Sequence, residues 1–445
     1  MANTFSYKQV WTSEFQKSNW AMPVYPVIAD LQFSEGLKIS DTINRRYRTN
    51  PLFANDMTSS GEYVVQDYAE GNETFTISKK KEATVRIVNH EVLHTDLNTA
   101  KSYGVQLANA LFQAIDGDTL NTARAGAGTI IDDGSLSGGT PGNGLTVSTG
   151  NITDIPLLAT EIFTGKNVAY NNNIRFGKLA FEDYGGMLTW IMPPQVQTEL
   201  QRYMLSRGTV LGDQVVTNGY NGRFGNYETF VSNNLPFTAR FAMTANPADG
   251  DTITIKGVTL TFKTTVDAGV TAGQVAIGST VATTITNLVA FLNSDLLTNV
   301  AEAADAGYNG FASTNGNTAT ENGYTINKSK ILQGISATDG TTYFDILIKG
   351  AGKVTVTQSM VTGTNLFTLE KQVVHSIIMV GKNISLAVRK DPSIYENFVS
   401  GAVAKDFVMW TVYDNKVFID QARAIIDLAV RCDASSFTAY SNIHA

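Results

Sequence analysis

Residues 60–88 predict a long two-stranded hairpin that the surrounding sequence cannot support. Two segments, GEYVVQDY and ETFTISKKKEATVRIV, have the β-branched and aromatic composition of strands, and residues 69–72 have the composition of a turn. A two-stranded hairpin is only marginally stable in water on its own. A further surface must therefore carry this hairpin, and nothing in the local sequence supplies one.

The segment before the hairpin predicts an extended arm, and the segment after it predicts a long helix. In residues 1–50 bulky side chains follow no regular pattern, and Pro23 and Pro26 are expected to break any helix. Such an arm needs a surface, either its own body or a neighbouring subunit. Residues 95–125 have apolar side chains at helical spacing and predict a rod of roughly 40 Å, with a possible kink at Gly104 or Gly117.

The rest of the chain predicts a body of short helices and buried strands. Residues 126–150 are rich in glycine, serine and threonine and predict a mobile loop. Residues 244–365 contain no Arg, His, Trp or Cys and alternate short strands with one helix, which predicts a separate β-rich insertion. Strands of buried composition resume after residue 366, with a turn expected at Asp414-Asn415.

Composition excludes several classes of protein. The 445 residues include 33 basic and 40 acidic side chains, so the net charge of 33 − 40 = −7 argues against a protein that wraps nucleic acid. Charged residues make up 16% of the chain, against roughly 25% in an average soluble domain, which suggests large subunit contacts. A single cysteine excludes an internal disulfide, and no apolar run has the length of a signal peptide core or a membrane span. These features predict folding in a reducing cytoplasm, without membrane contact.

One catalytic pattern is present, the HExxH match of His90, Glu91 and His94. On a helix this spacing binds zinc and supplies a general base. Here the motif follows a strand-like segment, Leu97 replaces the glycine of the extended pattern, and no glutamate occurs between Val92 and Thr160. A zinc metallopeptidase is therefore kept only as an alternative. No phosphate-binding loop, nucleophile elbow or dinucleotide fingerprint is present, so we predict no enzyme, no catalytic residue, no metal site and no cofactor.

The block from Gly222 to Pro236, GRFGNYETFVSNNLP, resembles a segment of tailed-phage major capsid proteins, in which a glycine-bounded turn leads into a strand ending in SNNLP. The order of elements resembles the same family. The resemblance implies an α+β, Hong Kong 97-like capsid fold with an N-terminal arm, an extended β-hairpin loop, a long spine helix and an inserted β-rich domain. The predicted segments are an arm (1–59), an extended hairpin (60–90), the spine helix of a peripheral domain (91–126), the first part of an axial domain (127–243), the insertion (244–365), and returning axial and peripheral strands (366–445).

The resemblance also implies a function. It predicts a major capsid protein that self-assembles, through pentamers and hexamers, into an icosahedral shell around double-stranded DNA. It implies assembly in the host cytoplasm, a separate scaffolding protein, a portal protein and, in some relatives, cement proteins. In the family the hairpin lies over the adjacent subunit, which is the support that the hairpin at residues 60–88 needs.

Charged residues of the arm and hairpin are the predicted contacts between subunits. The candidates are Arg45, Arg46, Arg48, Asp67, Glu70, Glu73, Lys79, Lys80 and Lys81. For the three arginines, salt bridges that stabilise the protein's own fold are the preferred interpretation. Gly61, Gly71 and the 126–150 loop are predicted hinges. Two further functions remain open, an encapsulin-like compartment shell with the same fold and a β-rich phage tail or adhesion protein.

Overall fold

A computed structural model of the chain has the α+β composition that the sequence predicts. It describes residues 23–31, 42–48, 55–57, 59–61, 63, 65–66, 69–88, 99–136, 139, 142–166, 168, 187–206, 223–255, 258–266, 273–293, 308–309, 318–321, 324–327, 335–348, 356–360, 366–398 and 404–432. The α-helices in these ranges are α1 (Tyr25–Ile28), α2 (Thr99–Ala125), α3 (Asp154–Gly165), α4 (Pro194–Leu205), α5 (Val281–Asn293) and α6 (Ile419–Ala422), and Asp133–Ser135 form a 3-10 turn.

The same ranges contain strands in every part of the chain. Those of the first half are β1 (Ala29–Asp30), β2 (Thr42–Arg48), β3 (Glu70–Thr76), β4 (Lys79–Val88), β5 (Thr129–Ile131), β6 (Leu188–Met192), β7 (Arg223–Phe224), β8 (Tyr227–Val231), β9 (Phe237–Met243), β10 (Thr252–Ile255) and β11 (Val258–Lys263). Those of the second half are β12 (Gln274–Ala276), β13 (Tyr308–Asn309), β14 (Thr318–Glu321), β15 (Tyr324–Asn327), β16 (Ile335–Asp339), β17 (Tyr343–Ile348), β18 (Val356–Ser359), β19 (Phe367–Val380), β20 (Ile384–Phe398), β21 (Ala404–Lys416) and β22 (Ile425–Arg431).

The chain forms two compact units. The first comprises Met1–Asp116 and Ile384–Asp420, and the second comprises Gly117–Asn383 and Gln421–Ala445. The long helix predicted at 95–125 is confirmed as α2, which continues through Gly104 and Gly117 without a break in its helical assignment. Its amino-terminal part belongs to the first unit and its last turns belong to the second.

A four-stranded sheet of order β1-β20-β21-β4 is the centre of the first unit. Helix α2 covers one face, where Leu107 and Leu111 pack against Phe407 and Met409 of β21. The next turn of α2 brings Ile115 against Tyr413. Because successive side chains of a strand alternate between faces, the intervening residues Val408, Trp410 and Val412 of β21 point to the opposite face.

The predicted hairpin at residues 60–88 is wrong in its pairing. Glu70–Asn72, the expected turn, are the start of β3, and β3 pairs antiparallel with β2 rather than with residues 60–68. Strand β4 pairs with β21 over its whole length, from Lys79 opposite Tyr413 to Val88 opposite Ala404. The strand composition of 73–88 was sufficient to predict the strands, but the partner of β4 lies more than 300 positions away in the chain.

Part of the arm is fixed to the first unit by a buried carboxylate. The backbone N–H groups of Val24 and Tyr25 both donate to Oδ1 of Asp116, each at 2.7 Å. Val24 and Ile28 are buried, and Ala29 pairs with Ile384 of β20. The expectation that Pro26 breaks any helix is wrong, because it lies in the first turn of α1, where a proline costs no hydrogen bond.

A nine-stranded sheet is the centre of the second unit. Its order is β16-β17-β9-β19-β6-β8-β7, and β22 pairs with β19 and β5. Helices α3 and α4 cover one face, and Phe163 of α3 and Leu200 of α4 are buried against strand residues that include Trp190. The indole N–H of Trp190 donates to Ser376 at 3.0 Å, so its polar atom is satisfied inside this core.

A polar cluster is buried within the nine-stranded sheet. His375 on β19 contacts Asp427 on β22 through Nδ1, at 2.9 and 3.0 Å, and Thr238 on β9 through Nε2, at 2.9 Å. Burial lowers the pKa of Arg124, at the end of α2, and the Asp427 carboxylate acts in the opposite direction. The side chain of His375 therefore joins β9, β19 and β22 by hydrogen bonds in addition to those of the backbone.

The segment predicted as a β-rich insertion contributes to three sheets, one of which is the two-stranded sheet of β14 and β15. Strands β10–β13 and β18 form a separate five-stranded sheet, but β16 and β17 belong to the nine-stranded sheet through the pairing of β17 with β9. The Asn293 side chain at the end of α5 pairs with both backbone groups of Ala337 on β16, each at 2.8 Å. The boundaries at 244 and 365 stay a prediction.

Two loop predictions are wrong. In the 126–150 region, Thr129–Ile131 form β5, and the backbone of Leu145 bonds to Ala429 and Arg431. Ile131 and Leu145 are buried, which fixes this segment despite its glycine content. The expected turn at Asp414-Asn415 lies instead inside β21, opposite Ala387 and Leu386.

Among the helices described here, none is both long enough and apolar enough to span a membrane.

The Asp116 contact generates a test of how the arm is held. Replacing Asp116 with alanine removes a charged acceptor from two buried backbone donors, so we expect the free energy of unfolding to fall by about 2–3 kcal/mol. Hydrogen exchange at Val24 and Tyr25 should accelerate in the same variant. Asp56→Ala, at an exposed position, is the matched control. Unchanged exchange at Val24 and Tyr25 in Asp116→Ala would contradict this assignment.

Candidate assembly surface

Strands β2 and β3 form a two-stranded ribbon, which we call the arm ribbon. Its register places Ile43 opposite Phe75, Arg45 opposite Glu73 and Tyr47 opposite Gly71. The Tyr47 ring lies so close to Gly71 that an added Cβ would be 2.5 Å from Cζ of the ring. Position 71 requires glycine because the Tyr47 ring occupies the space that a side chain at residue 71 would need.

The base of the arm ribbon is held by an apolar cluster. Phe75 and Ile77 are buried against Ala387 and Phe418. The rings of Phe75 and Phe418 meet edge to face, with centroids 6.2 Å apart and an interplanar angle of 87°. Val412, which points away from helix α2, packs against the same cluster. The arm ribbon therefore covers one end of the sheet face that α2 leaves open.

Ion pairs surround this cluster. The Arg45 guanidinium makes a bidentate contact with Asp420, at 2.5 and 2.6 Å, and lies 4.6 Å above the Phe418 ring. Lys416 approaches Glu73 at 3.4 Å, and the second oxygen of Glu73 accepts the backbone N–H of Ile419 at 3.2 Å. We call Arg45, Glu73, Lys416, Phe418 and Asp420 the latch.

A second polar group fixes the chain where β3 passes into β4. Oδ2 of Asp414 accepts hydrogen bonds from the backbone and the hydroxyl of Ser78, at 3.1 and 2.8 Å. Lys79 donates to Asn415 at 2.6 Å and lies 3.5 Å from Asp414. The start of β4 is therefore attached to β21 through side chains as well as through the backbone.

The structure places the predicted contact residues in three groups. Arg45, Glu73 and Lys79 have partners within the same unit, as the salt-bridge interpretation of the arginines implies for Arg45. Arg46 and Glu70 face each other across the exposed arm ribbon at 3.9 Å. Lys80 and Lys81 are exposed on β4. Asp67 and the side chain of Arg48 lie outside the described residues.

The two glycine hinge candidates differ in their surroundings. Gly61 has φ of +81° and no atom within 4 Å of an added Cβ, so its backbone conformation favours glycine in open space. Gly71 lies inside a paired strand rather than at a hairpin tip. The hinge roles of Gly61 and Gly71 stay predictions.

The exposed large apolar side chains of the first unit include two groups. Met57, Tyr63 and Val65, between β2 and β3, are 66%, 79% and 78% exposed. Trp410 and Tyr395, on the sheet face opposite α2, are 37% and 62% exposed, and Lys390 lies 3.3 Å above the Trp410 ring. Large apolar side chains that remain in water are a common mark of a protein interface.

Sequence reasoning missed the latch partners on the carboxy-terminal side. Lys416, Phe418 and Asp420 carry no motif and lie more than 300 residues from the arm ribbon. The one available signal was the strand composition of FVMWTVYDN, residues 407–415, all of which lie in the strand that continues to Lys416. The Asp-Asn pair instead suggested a turn, because these residues are common in turns.

The HExxH residues His90, Glu91 and His94 lie outside the described residues. In the part of the chain that the structure describes, no three His, Cys, Asp or Glu side chains come together as a metal site requires. Cys432 is buried, as its position at the end of a buried strand predicts, and its sulfur accepts from Gln195 at 2.8 Å.

The block that carried the family resemblance has the expected local structure. Strands β7 and β8 form a tight hairpin around Gly225, whose φ is +59°, and β8 lies in the nine-stranded sheet beside β6. After the strand, Ser232, Asn234 and Leu235 are buried, and Pro236 accepts a hydrogen bond from His375 at 2.9 Å. The buried SNNLP segment thus directs the chain from the hairpin into β9.

Comparison with known proteins identifies the fold as one found in bacteriophage structures. A structure from Mycobacterium phage Che8 matches 96% of this chain and 98% of its own, with a TM-score of 0.52 at 8% sequence identity. The capsid of Ralstonia phage GP4 matches with a TM-score of 0.47 at 9% identity, over 96% of this chain and 95% of its own. The mature capsid of bacteriophage PhiM1 gives a TM-score of 0.46 at 8% identity, over 96% and 91%. No family model and no curated protein sequence match the chain.

The latch generates a second prediction. Arg45→Met keeps the length of the side chain but removes the ion pair with Asp420 and the cation–π contact with Phe418, so we expect a loss of about 1–2 kcal/mol in unfolding free energy. Hydrogen exchange in β2 and β3 should accelerate more than exchange in β20. Arg46→Met, at an exposed position on the same strand, is the control. Equal effects of the two substitutions would contradict the latch.

Proposed function

We propose that this chain is the major capsid protein of a tailed bacteriophage and assembles into an icosahedral shell. The observation that carries the proposal is the fold shared with the phage Che8 structure over nearly the full length of both chains. The resemblance of the 222–236 block to tailed-phage capsid proteins supports it independently of that superposition. The role is structural rather than catalytic.

The mechanism of such a protein is geometric. The four-stranded sheet, covered by α2 on one face and by the base of the arm ribbon on the other, supplies a rigid body. Met57, Tyr63 and Val65, which lie between the two strands of the arm ribbon, present apolar side chains to water in the isolated chain. Contacts with neighbouring copies would bury these side chains, which favours assembly through the hydrophobic effect.

The partners follow from this role. The chain would pair with copies of itself in pentamers and hexamers, with a separate scaffolding protein and with a portal protein, and cement proteins could bind the finished shell. Double-stranded DNA would be enclosed without sequence-specific contacts, in keeping with the net charge of −7. Assembly would take place in the host cytoplasm and the product would be the virion capsid.

The lysines of β4 provide the test. Lys79 is held by Asn415, and the side chains of Lys80 and Lys81 are exposed, so a charge reversal limited to Lys80 and Lys81 leaves the Lys79 contact in place. We expect the double substitution Lys80→Glu, Lys81→Glu to reduce the yield of particles by about tenfold or more, because like charges at a contact oppose association. Circular dichroism and the unfolding midpoint should match those of the unmodified chain.

The control is Lys79→Glu alone, which should lower the unfolding midpoint through the loss of its internal contact. Particle yield is measured by sedimentation of protein expressed beside its neighbouring genes. Normal yields from the double variant would remove these lysines from the assembly surface. Nucleic acid inside the particles distinguishes a virus from an encapsulin-like compartment.

A further inference from the structure

Strand β16 is an edge of the nine-stranded sheet. Among the residues that the structure describes, it pairs on one side only, with β17, from Ile335 opposite Ile348 to Asp339 opposite Phe344. In an antiparallel pair both backbone groups of a residue point to the same side. Alternate residues of an edge strand therefore present N–H and C=O groups away from the sheet, where they can pair with a strand of another chain.

Other edge strands of the molecule are protected by their own sequence. Strand β4, the edge of the four-stranded sheet, begins with three consecutive lysines, and lysines on an edge oppose strand addition. Strand β20 contains Pro392, and its pairing with β21 is irregular on both sides of Lys390. Strand β16 has the sequence ISATD, without a proline or a basic residue, and its register with β17 is regular. Its protection must therefore come from another part of the chain.

The side chain of Asn293, at the end of α5, lies against this edge. Its Oδ1 accepts the backbone N–H of Ala337, and its Nδ2 donates to the carbonyl oxygen of the same residue, both at 2.8 Å. These are the two hydrogen bonds that a residue of an added antiparallel strand would exchange with Ala337. Because Ala337 is the middle residue of β16, one side-chain amide occupies the centre of the edge.

A second contact holds α5 along the strand. The Thr286 hydroxyl donates to Oδ2 of Asp339 at 2.6 Å, and Oδ1 of this carboxylate accepts the backbone N–H of Thr341 at 2.8 Å. Thr286 precedes Asn293 by about 10 Å along the helix axis, at roughly 1.5 Å for each residue. The helix therefore runs antiparallel to β16, and its two contacts keep the Asn293 amide beside Ala337.

We propose that Asn293 makes an autoinhibitory contact, in which its amide occupies the backbone groups through which β16 would otherwise pair with β16 of a second copy. The only charged residue of β16 is Asp339, and an antiparallel pair centred on Ala337 places it opposite Ile335, so like charges do not oppose this pairing. Asn293 is exposed, which leaves the edge within reach of a second copy once the amide is removed. The inference goes beyond the proposed function and does not depend on it, because it concerns free subunits.

The test compares two asparagines of the same helix. Asn293→Leu removes both hydrogen bonds to Ala337 while keeping a side chain of similar size. The matched control, Asn287→Leu, removes a hydrogen bond of 3.0 Å to the carbonyl oxygen of Ala276 on β12, a strand that lies between β11 and β13. Free subunits of the full chain are separated from any particles and measured by sedimentation velocity at increasing concentration. We expect Asn293→Leu to dimerise at concentrations about tenfold or more below those required by the unmodified chain and by Asn287→Leu, since only Asn293→Leu frees backbone groups for pairing.

Hydrogen exchange at Ala337 locates the contact. In dilute Asn293→Leu the N–H of Ala337 has lost its acceptor, so its exchange should accelerate, and protection should return as dimers form. Adding Thr338→Lys, at an exposed position of β16, should restore the monomer. In a dimer centred on Ala337 the two new lysines would be diagonal neighbours on one face, and like charges so placed oppose pairing.

Three results would overturn the proposal. If Asn293→Leu stays monomeric while exchange at Ala337 accelerates, the edge does not need this contact to stay unpaired. Equal association of Asn293→Leu and Asn287→Leu would assign the effect to general destabilisation. Dimers that persist with Thr338→Lys and leave Ala337 unprotected would place the association on another surface. If circular dichroism shows that Asn293→Leu does not fold, Asn293→Ala, which frees the same backbone groups, takes its place.

Discussion

Burial of Phe418 beneath the arm ribbon is the contact on which the first unit depends. Strands β20 and β21 are long, and a long antiparallel ribbon is stable only when its faces are covered. Helix α2 covers one face through Leu107, Leu111 and Ile115. On the other face the ring of Phe418 joins Phe75 and Ile77, and Arg45 and Lys416 lie above the same ring. The arm ribbon is consequently part of the core at its base and exposed beyond it.

This arrangement separates the residues that hold the fold from those available to a neighbour. Arg45, Glu73 and Lys79 are occupied by Asp420, Lys416 and Asn415. The exposed residues lie elsewhere in the same unit. Lys80 and Lys81 are on β4, Trp410 is on the sheet face opposite α2, and Tyr63 and Val65 are between β2 and β3. A charged residue of the arm therefore cannot be assigned to an interface by its charge alone, because three of the nine predicted contact residues stabilise the subunit itself.

Local patterns predicted local structure well and pairing poorly. The helical spacing of apolar side chains in residues 95–125 predicted α2, in which Leu107, Leu111 and Ile115 are buried. The block 223–236 formed its hairpin because Gly225 permits a tight turn. In contrast, β3 and β4 pair with strands that neither composition nor turn signals connect to them. The partner of β4 is set by burial against residues more than 300 positions away, which a single sequence does not display.

The account has one central claim, that this chain builds a closed shell. Cryo-electron microscopy of particles from the chain expressed beside its neighbouring genes tests it most directly. The account predicts closed shells of uniform diameter in which this chain forms fivefold and sixfold clusters. Small discrete species, such as trimers or open rings, both alone and with the neighbouring genes, would contradict it.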